Sequence, residues 1–134
     1  MLQDKKVILC VDDEENPLIL RKLVLEKAGY DVIIASSAEQ ALGVVFSRRI
    51  DIVLSDQLMP GSTGADLARQ IKARRPDLPI ILFSGVNEIP ADADCADLFL
   101  SKVEGPATLC EKIRMVLGGA ITTEPEKVGF SESG

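Results

Sequence analysis

The sequence contains no histidine and no tryptophan, and its aromatic side chains are limited to one tyrosine and four phenylalanines. Without histidine the chain supplies no imidazole, which excludes a histidine-based catalytic triad and a histidine-containing zinc site. Because aromatic side chains are few, the core must be built mainly from aliphatic ones. No apolar run approaches the length of a membrane-spanning helix, and the first residues lack the basic-then-apolar layout of a signal peptide. We expect a cytoplasmic protein that does not bind membranes.

Cysteine is scarce as well, with only Cys10, Cys95 and Cys110 and no CxxC pair. An odd number without a pairing pattern predicts reduced thiols rather than a disulfide framework. Acidic residues outnumber basic ones by 21 to 15, which gives a formal net charge of −6. An acidic surface repels a phosphate backbone, so direct nucleic-acid binding is not expected.

Short apolar runs alternate with helical patterns along most of the chain. The runs are continuous in apolar character, which is typical of strands covered on both faces of a sheet. Right-handed connections turn such an alternation into a doubly wound α/β fold, a parallel sheet with helices on both faces. The five predicted strands cover residues 7–11, 32–35, 52–54, 80–83 and 98–100.

End signals and apolar residues at helical spacing predict the helices. Asn16 is interpreted as the N-cap of the first helix, with Pro17 in its first turn and Gly29 at its end. Ser37 and Gln40 form a capping-box pattern before the second helix. The predicted core-facing residues are Leu20, Leu23, Val24 and Ala28, then Ala38, Ala41, Leu42 and Val45, then Gly64, Leu67, Ala68 and Ile71, and finally Leu109, Ile113, Val116 and Leu117 in a helix starting near Pro106.

The segment between the fourth and fifth strands is the weakest part of the pattern. Residues 86–96 carry Pro90 in their middle, and a proline interrupts a helix. We expect a shortened or irregular fourth helix there, mostly loop with at most about one or two turns. Its acidic residues, Glu88, Asp92, Asp94 and Asp97, are interpreted as a solvated face. Residues 119–134 lack apolar periodicity and are expected to form a disordered tail.

Polar residues follow the predicted strands at their carboxyl ends, where the functional groups of a parallel sheet collect. They are Asp12-Asp13 after the first strand, Asp56 after the third, Ser84-Gly85 after the fourth and Ser101-Lys102 after the fifth. Three neighbouring carboxylates repel one another and require a cation, and their hard oxygen ligands suit Mg²⁺. A carboxylate can act as a nucleophile toward phosphorus, while Mg²⁺ and a lysine offset the charge of the phosphoryl oxygens.

Each of these residues also has an interpretation by itself. Asp12, Asp13 and Glu14 could serve only to cap the first helix, Ser84 could be a turn hydroxyl and Lys102 a surface lysine. Their joint position at matching strand ends favours a functional site. The amides of Leu58 and Gly85 can donate to a phosphoryl oxygen if their loops point inward.

Four stretches together resemble the receiver domains of bacterial response regulators, the CheY-like family. They are Val11-Asp12-Asp13-Glu14, Asp56-Gln57-Leu58-Met59-Pro60-Gly61 with Gly64, Ser84-Gly85, and Phe99-Leu100-Ser101-Lys102. The resemblance covers about residues 5–117. It implies one receiver domain over residues 1–118, with a flavodoxin-like (βα)5 sheet of strand order 2-1-3-4-5.

The resemblance also implies a role for each matching residue. Asp56 corresponds to the phosphoacceptor, and Lys102 to the lysine that pairs with the phosphoryl group. Ser84 and Phe99 correspond to the switch residues. The implied Mg²⁺ ligands are Asp13, Asp56 and the carbonyl of Leu58, with Asp12 acting through a water.

The implied function is a phosphorylation-activated switch. A sensor histidine kinase or phosphotransfer protein would supply the phosphoryl group, and the signal would pass to a further, unknown protein target. Two alternatives are weighed against it. One is a Mg²⁺-dependent phosphatase or phosphotransferase, whose DxDxT layout and cap are not seen in the sequence. The other is a receiver-like interaction module that does not depend on phosphorylation.

The sequence departs from the family near its fifth strand. Val103 follows Lys102 where the family usually has a proline after a cis peptide, and a cis bond before valine is costly, so we expect trans. Cys95 stands where glycine is frequent, and the stretch from Ser84 to Lys102 is several residues short. If the fourth helix is loop, the family's usual dimer through that face is lost. The chain is then a monomer, or a dimer that uses another surface.

Leu58 and Val86 flank the side from which a hydrolytic water must approach Asp56. Two interpretations follow from their apolar character. Either they hinder that water and give a long-lived aspartyl phosphate, or they only pack the loop.

Overall fold

The computed structural model describes residues 5–84, 96–101 and 105–118. Within this part of the chain, strands and helices alternate as predicted, apart from a small additional hairpin. In chain order the elements are β1 (Val7–Val11), α1 (Glu15–Lys27), β2 (Asp31–Ala35), α2 (Ala38–Ser47), β3 (Ile52–Asp56), β4 (Leu58–Met59), β5 (Ser62–Thr63), α3 (Gly64–Arg74), β6 (Ile80–Ser84), β7 (Leu98–Ser101) and α4 (Pro106–Gly118).

Five strands form one parallel sheet in the order β2-β1-β3-β6-β7. Counted over these five strands alone, this is the predicted order 2-1-3-4-5, and the doubly wound, flavodoxin-like fold is confirmed. The central strand β3 is buried along its whole length. Three strands run further than predicted, to Asp56, Ser84 and Ser101, so these polar residues belong to the strand ends themselves.

Helices cover both faces of the sheet. Successive side chains of a strand point to opposite faces, so Leu9 and Val11 share one face of β1. Both belong to a buried cluster that contains residues of α2 and α3, such as Val45 and Leu67. Helix α1 contacts β1 and β2 without contributing to that cluster, and therefore covers the other face.

The start of α1 differs from the prediction. The helix begins at Glu15, and Glu14 is its N-cap without a side-chain hydrogen bond. Asn16 is therefore inside the first turn and is not the cap. Pro17 is still within that turn, where a missing N–H costs no intrahelical hydrogen bond.

The buried face of α1 also differs from the prediction. Leu20 and Leu23, which were expected to face the core, are 63% and 58% exposed. The buried residues are Leu18 and Leu25, which lie about two turns apart and share a face roughly opposite to the exposed pair. The helix carries apolar residues on both sides, so spacing alone could not choose between them. Of the other two predicted core residues, Ala28 is exposed and Val24 is half-buried.

Helix α2 has the predicted cap, and helices α2 and α3 have the predicted buried faces. The Ser37 hydroxyl accepts from the Gln40 N–H at 3.1 Å. The reciprocal bond is displaced by one residue, because Gln40 Oε1 accepts from the Ser36 N–H at 2.6 Å. Thr63 Oγ1 caps α3 by accepting from the Asp66 N–H at 3.0 Å. The predicted core residues Ala41, Val45, Gly64, Leu67, Ala68 and Ile71 are buried.

Two aspartates secure strands at the amino edge of the sheet. Asp51 Oδ2 accepts from the N–H of Val7, the first residue of β1, at 2.8 Å. Asp97 Oδ2 accepts from the N–H of Ile80, the first residue of β6, at 2.8 Å and pairs with Lys72 Nζ at 2.8 Å. Asp97 is exposed, as the interpretation of a solvated face predicts, and its carboxylate in addition joins the start of β6 to the residue before β7.

The last helix belongs to a second compact unit, which begins at Gly105. Helix α4 starts at Pro106 and buries Leu109 and Ile113, as predicted. Among the residues that the structure describes, no helix is both long and apolar enough to cross a bilayer. The predicted tail and the predicted fourth helix, except for Ala96, lie outside the described residues.

Candidate functional site

Three carboxylates meet at the carboxyl edge of the sheet. Strands β1 and β3 are parallel neighbours, with Val11 opposite Ser55, so the residues that follow these two positions are brought together. One oxygen from each of Asp12, Asp13 and Asp56 lies within 4.8 Å of the others. Asp12 and Asp56 are buried, and Asp13 is exposed. The strand-end pattern in the sequence predicts this convergence, and the structure shows it.

Asp12 is fixed by its surroundings on one side only. Its N–H donates to the Ala35 carbonyl at 3.2 Å, which extends the pairing of β1 with β2. Its Oδ1 accepts from the N–H of Glu14, the N-cap of α1, at 3.0 Å. This bond holds the N-cap residue and not an N–H of the first helical turn, so Asp12 does not cap α1. The other carboxylate oxygen, Oδ2, is buried and has no hydrogen-bond partner within the described chain.

The backbone around Asp56 is held by the start of α3. Asp56 is paired in register with Phe83 of β6. The next residue, Gln57, is buried, its carbonyl accepts from the Gly64 N–H at 2.8 Å, and its Oε1 accepts from the Ala65 N–H at 2.9 Å. A Cβ on Gly64 would stand 2.6 Å from the Asp56 carbonyl oxygen, so only glycine fits this approach. These contacts fix the backbone from which the Asp56 carboxylate projects.

The donor set of this cluster fits a Mg²⁺ ion. All three side chains offer hard carboxylate oxygens, which Mg²⁺ prefers over nitrogen or sulfur. Burying Asp12 with an oxygen that makes no hydrogen bond is costly unless a cation or donor compensates it. Asp13 is exposed and leaves an open side for water ligands, which Mg²⁺ usually retains.

The comparisons with known proteins point to one family. Residues 8–114 match the family model of the response regulator receiver domain. This chain belongs to that family.

It is 33% identical over 133 residues to the phosphate regulon transcriptional regulatory protein PhoB of Pseudomonas aeruginosa, a match covering 92% of this chain and 58% of that protein. It is 35% identical over 83 residues to the alkaline phosphatase synthesis regulator PhoP of Bacillus subtilis, which covers 62% of this chain and 35% of that protein. The chain thus spans well under two thirds of the length of these relatives.

Solved receiver structures have the same fold. The response regulator TrrA of Thermotoga maritima, crystallised in complex with Mg²⁺-BeF, superimposes with a TM-score of 0.79 and 34% identity, over 83% of this chain and 98% of that one. A CheY-like receiver domain of Methanospirillum hungatei gives a TM-score of 0.81 with 29% identity, over 87% and 96% of the two chains. Receiver domains are signalling modules of two-component systems, in which response regulators interact with histidine kinases.

The loop after Asp56 forms a small hairpin in this receiver domain. Leu58 and Met59 of β4 pair with Thr63 and Ser62 of β5, and Gly61 makes the turn with a φ of +78°. Met59 is buried in the core cluster, whereas Leu58 is 72% exposed. Leu58 is therefore not packed into the loop, so the interpretation that it serves only to pack the loop does not hold for this residue. The roles of its carbonyl and amide stay predictions.

The remaining predicted residues of the receiver domain lie on or beyond β6 and β7. Ser84 is the last residue of β6 and is in register with Ser101 of β7, at the same edge as the acidic cluster. Phe99 is partly buried and packs against the core cluster. Gly85, Val86 and Lys102 lie outside the described residues, as do Pro90, Cys95 and Val103.

Two residues of the site were missed by the sequence analysis, Gln57 and Arg21. Gln57 follows Asp56 directly, and nothing in the sequence separates it from an ordinary loop residue. Arg21 is three residues after Leu18 and four before Leu25, on the buried face of α1. The sequence does not single it out, because the opposite face carries leucines as well. Its guanidinium lies 3.6 Å from Asp12 Oδ2, measured from Nη1.

Cys10 lies beside this ion pair in β1 and is fully buried. Burial raises the pKa of its thiol to about 12; nearby Arg21 lowers it and Asp12 raises it further, both by smaller amounts. The thiol stays protonated at neutral pH and behaves as a small apolar side chain. This agrees with the packing role that its place in an apolar strand predicts.

Proposed function

We propose that this receiver domain is a phosphorylation-activated switch, which accepts a phosphoryl group on Asp56 in a Mg²⁺-dependent reaction. The observation that carries the proposal is the meeting of three carboxylate oxygens within 4.8 Å at the carboxyl edge of a receiver fold. The crystal structure of the relative TrrA in complex with Mg²⁺-BeF supports Mg²⁺ as the cation. Asp12, Asp13, Asp56 and the Leu58 carbonyl would hold the ion.

In the proposal the phosphoryl group comes from a histidine outside these 134 residues, because they contain none. In the proposed step, an oxygen of Asp56 attacks the phosphorus of a phosphohistidine on a sensor kinase or phosphotransfer protein. The new O–P bond forms as the P–N bond breaks, and the bonding electrons return to the imidazole. Bound Mg²⁺ supplies positive charge that offsets the phosphoryl oxygens.

The chain's own residues orient the acceptor. Asp56 is 4% exposed, and its backbone is held between β6 and the start of α3, so its carboxylate is presented in one place. Holding a nucleophile in position contributes to rate by lowering the entropy lost in the reaction. Lys102, the Ser84 hydroxyl and the amides of Leu58 and Gly85 are proposed to contact the phosphoryl oxygens.

The output is proposed to pass through protein contacts. One phosphoryl group per chain changes the conformation around Ser84 and Phe99, and an unknown target protein recognises that change. On this proposal the chain is a signalling module and not a multiple-turnover enzyme. It acts in the cytoplasm, as a monomer or as a dimer that does not use the family's usual face.

Intact-mass analysis after incubation with Mg²⁺ and a small phosphodonor tests the proposal. We expect one added phosphoryl group, absent in Asp56→Asn and without Mg²⁺. Asp13→Ala should lose Mg²⁺ binding and phosphorylation together, whereas Asp77→Ala, an exposed acid in the loop before β6, should keep both. No adduct on the wild-type chain would favour the phosphorylation-independent module, and sustained turnover of donor would favour an enzyme.

A further inference from the structure

An arginine occupies a core position of helix α1. Leu18, Arg21 and Leu25 lie on the buried face, and the arginine side chain is only 13% exposed. On the same helix, Leu20 and Leu23 are exposed. The helix therefore buries a cation while leaving leucines in water. Burying a charge is costly unless it is paired, so the contacts of Arg21 must offset the free-energy cost of burying its guanidinium.

Those contacts are directed at the acidic cluster. Arg21 Nη1 lies 3.6 Å from Asp12 Oδ2, and both atoms are buried without a hydrogen-bond partner among the described residues. The guanidinium carbon lies 4.6 Å from the ring centroid of Phe83, over whose face the cation is attracted. Phe83 is in register with Asp56 on the neighbouring strand, so the arginine contacts Asp12 and the strand next to the one that carries Asp56.

The pair is close but not hydrogen-bonded. At 3.6 Å the two groups attract each other electrostatically, while each keeps a free hydrogen-bonding position. This arrangement allows one cation at Asp12 to be replaced by another, because Asp12 Oδ2 can leave Arg21 for a second cation without breaking a hydrogen bond. Asp12 Oδ1 stays on the Glu14 N–H in either case.

We propose that Arg21 is the resident counter-cation of the acidic cluster, which holds Asp12 when no metal is bound and competes with Mg²⁺ for it. The inference rests on the proposed Mg²⁺ site. Arg21 lowers the repulsion among the carboxylates and stabilises the metal-free domain. It also lowers the affinity of the site for Mg²⁺, since a fixed positive charge opposes a second cation. Arg21 is thus a residue that sets the metal affinity of the switch.

The test compares two neutral replacements of Arg21 with a matched control on the same helix. Arg21→Met and Arg21→Gln remove the buried cation, and Lys22→Met removes a cation from the neighbouring position, where it pairs with Glu26. All three make the net charge more negative by one. Mg²⁺ dissociation constants are measured by calorimetry at fixed ionic strength, together with the urea midpoint of unfolding with and without Mg²⁺.

We expect both Arg21 variants to bind Mg²⁺ about tenfold more tightly, the effect of removing one unit charge from a partly screened site. Lys22→Met should stay within about twofold of the wild type. Without metal, both Arg21 variants should unfold at lower urea, and added Mg²⁺ should raise their midpoints more than that of the wild type. A variant that is unfolded without metal still reports its affinity through the Mg²⁺ concentration that refolds it.

Several results would overturn the inference. Unchanged or weaker Mg²⁺ binding in both Arg21 variants would show that the arginine is structural or helps to present Asp12 to the metal. An equal increase in Mg²⁺ affinity in Lys22→Met would show that the effect comes from the net charge of the protein and not from the position of Arg21. The increase in Mg²⁺ affinity caused by Arg21→Met should be smaller when Asp12 is replaced by asparagine. An undiminished increase in that background would exclude competition between Arg21 and Mg²⁺ for Asp12. If the wild-type chain bound no Mg²⁺, the proposed function itself would fail, which is a distinct outcome.

Discussion

Replacing Gly64 with alanine tests how tightly the acceptor strand is held by the helix that follows it. The added methyl would stand 2.6 Å from the Asp56 carbonyl oxygen and 2.8 Å from Leu82 Cδ2, both well inside contact distance. The oxygen belongs to the backbone of a buried strand, so it cannot turn away as a side chain can. Overpacking of this kind costs about 1–3 kcal/mol. Alanine at the first helical position recovers at most about 1 kcal/mol of this.

Urea unfolding provides the assay, with Gly43→Ala as its control. Gly43 lies inside α2 and a Cβ there would meet nothing within 4 Å. The same chemical change should therefore stabilise the fold by about 0.5–1 kcal/mol at Gly43 and destabilise it at Gly64. Because the displaced atom is the carbonyl of Asp56, the Gly64 variant should also accept phosphoryl groups more slowly. Equal stability of the two variants would refute the close approach.

Three further outcomes are expected. Ser37→Ala should lower the free energy of unfolding by about 0.5–2 kcal/mol, since it removes the N-cap bond of α2. Cys10 should resist thiol reagents at pH 8 in native peptide mapping. Because its folded pKa is raised to about 12 from 9.0, its contribution to stability is complete below pH 9 and is lost as pH rises from 9 to 12. Cys10→Ala should flatten that alkaline fall in the urea midpoint. Leu58→Asn should speed loss of phosphate from Asp56 once donor is removed, if the exposed leucine screens it from water.

The strand ends were predictable because a parallel sheet collects its carboxyl termini at one edge. Asp12, Asp13 and Asp56 follow apolar runs whose adjacency is a consequence of the alternation of strands and helices. The positions of these aspartates after the apolar runs were therefore enough to predict that they lie close together in the fold. The predicted ends of the runs were short by one or two residues, because polar residues such as Ser55 and Asp56 continue the strand without continuing the apolar pattern.

The environment of Asp12 could not be predicted in the same way. Helix α1 has two leucines on each of two faces, and choosing the face with more apolar residues, which adds Val24 and Ala28, places Leu20 and Leu23 inside. The structure buries the face with Arg21, because that arginine is compensated by Asp12, which follows β1, and by Phe83 of β6. A helical pattern counts apolar residues along one segment. It does not include the charge of a partner that only the tertiary fold brings near.

Five aspartates of the described residues fall into two groups, Asp51 and Asp97 at the amino edge of the sheet and Asp12, Asp13 and Asp56 at the carboxyl edge. We predict opposite effects on stability when Asp97 and Asp13, one from each group, are removed. At the amino edge, Asp97 accepts from the Ile80 N–H and pairs with Lys72. Asp97→Ala leaves that N–H without its acceptor and should lower the free energy of unfolding by about 1–3 kcal/mol. Mg²⁺ affinity should not change, because the residue is at the far end of the strands.

At the carboxyl edge, Asp13 lies among like charges, within 4.8 Å of oxygens of Asp12 and Asp56. Asp13→Ala should therefore raise the free energy of unfolding without Mg²⁺, by up to about 1 kcal/mol at low salt, while it abolishes metal binding. Urea unfolding of both variants, with and without Mg²⁺, separates the two groups. A stability loss in metal-free Asp13→Ala would mean that this carboxylate supports the fold, as Asp97 does, and that the repulsion which a cation must relieve at this edge is absent.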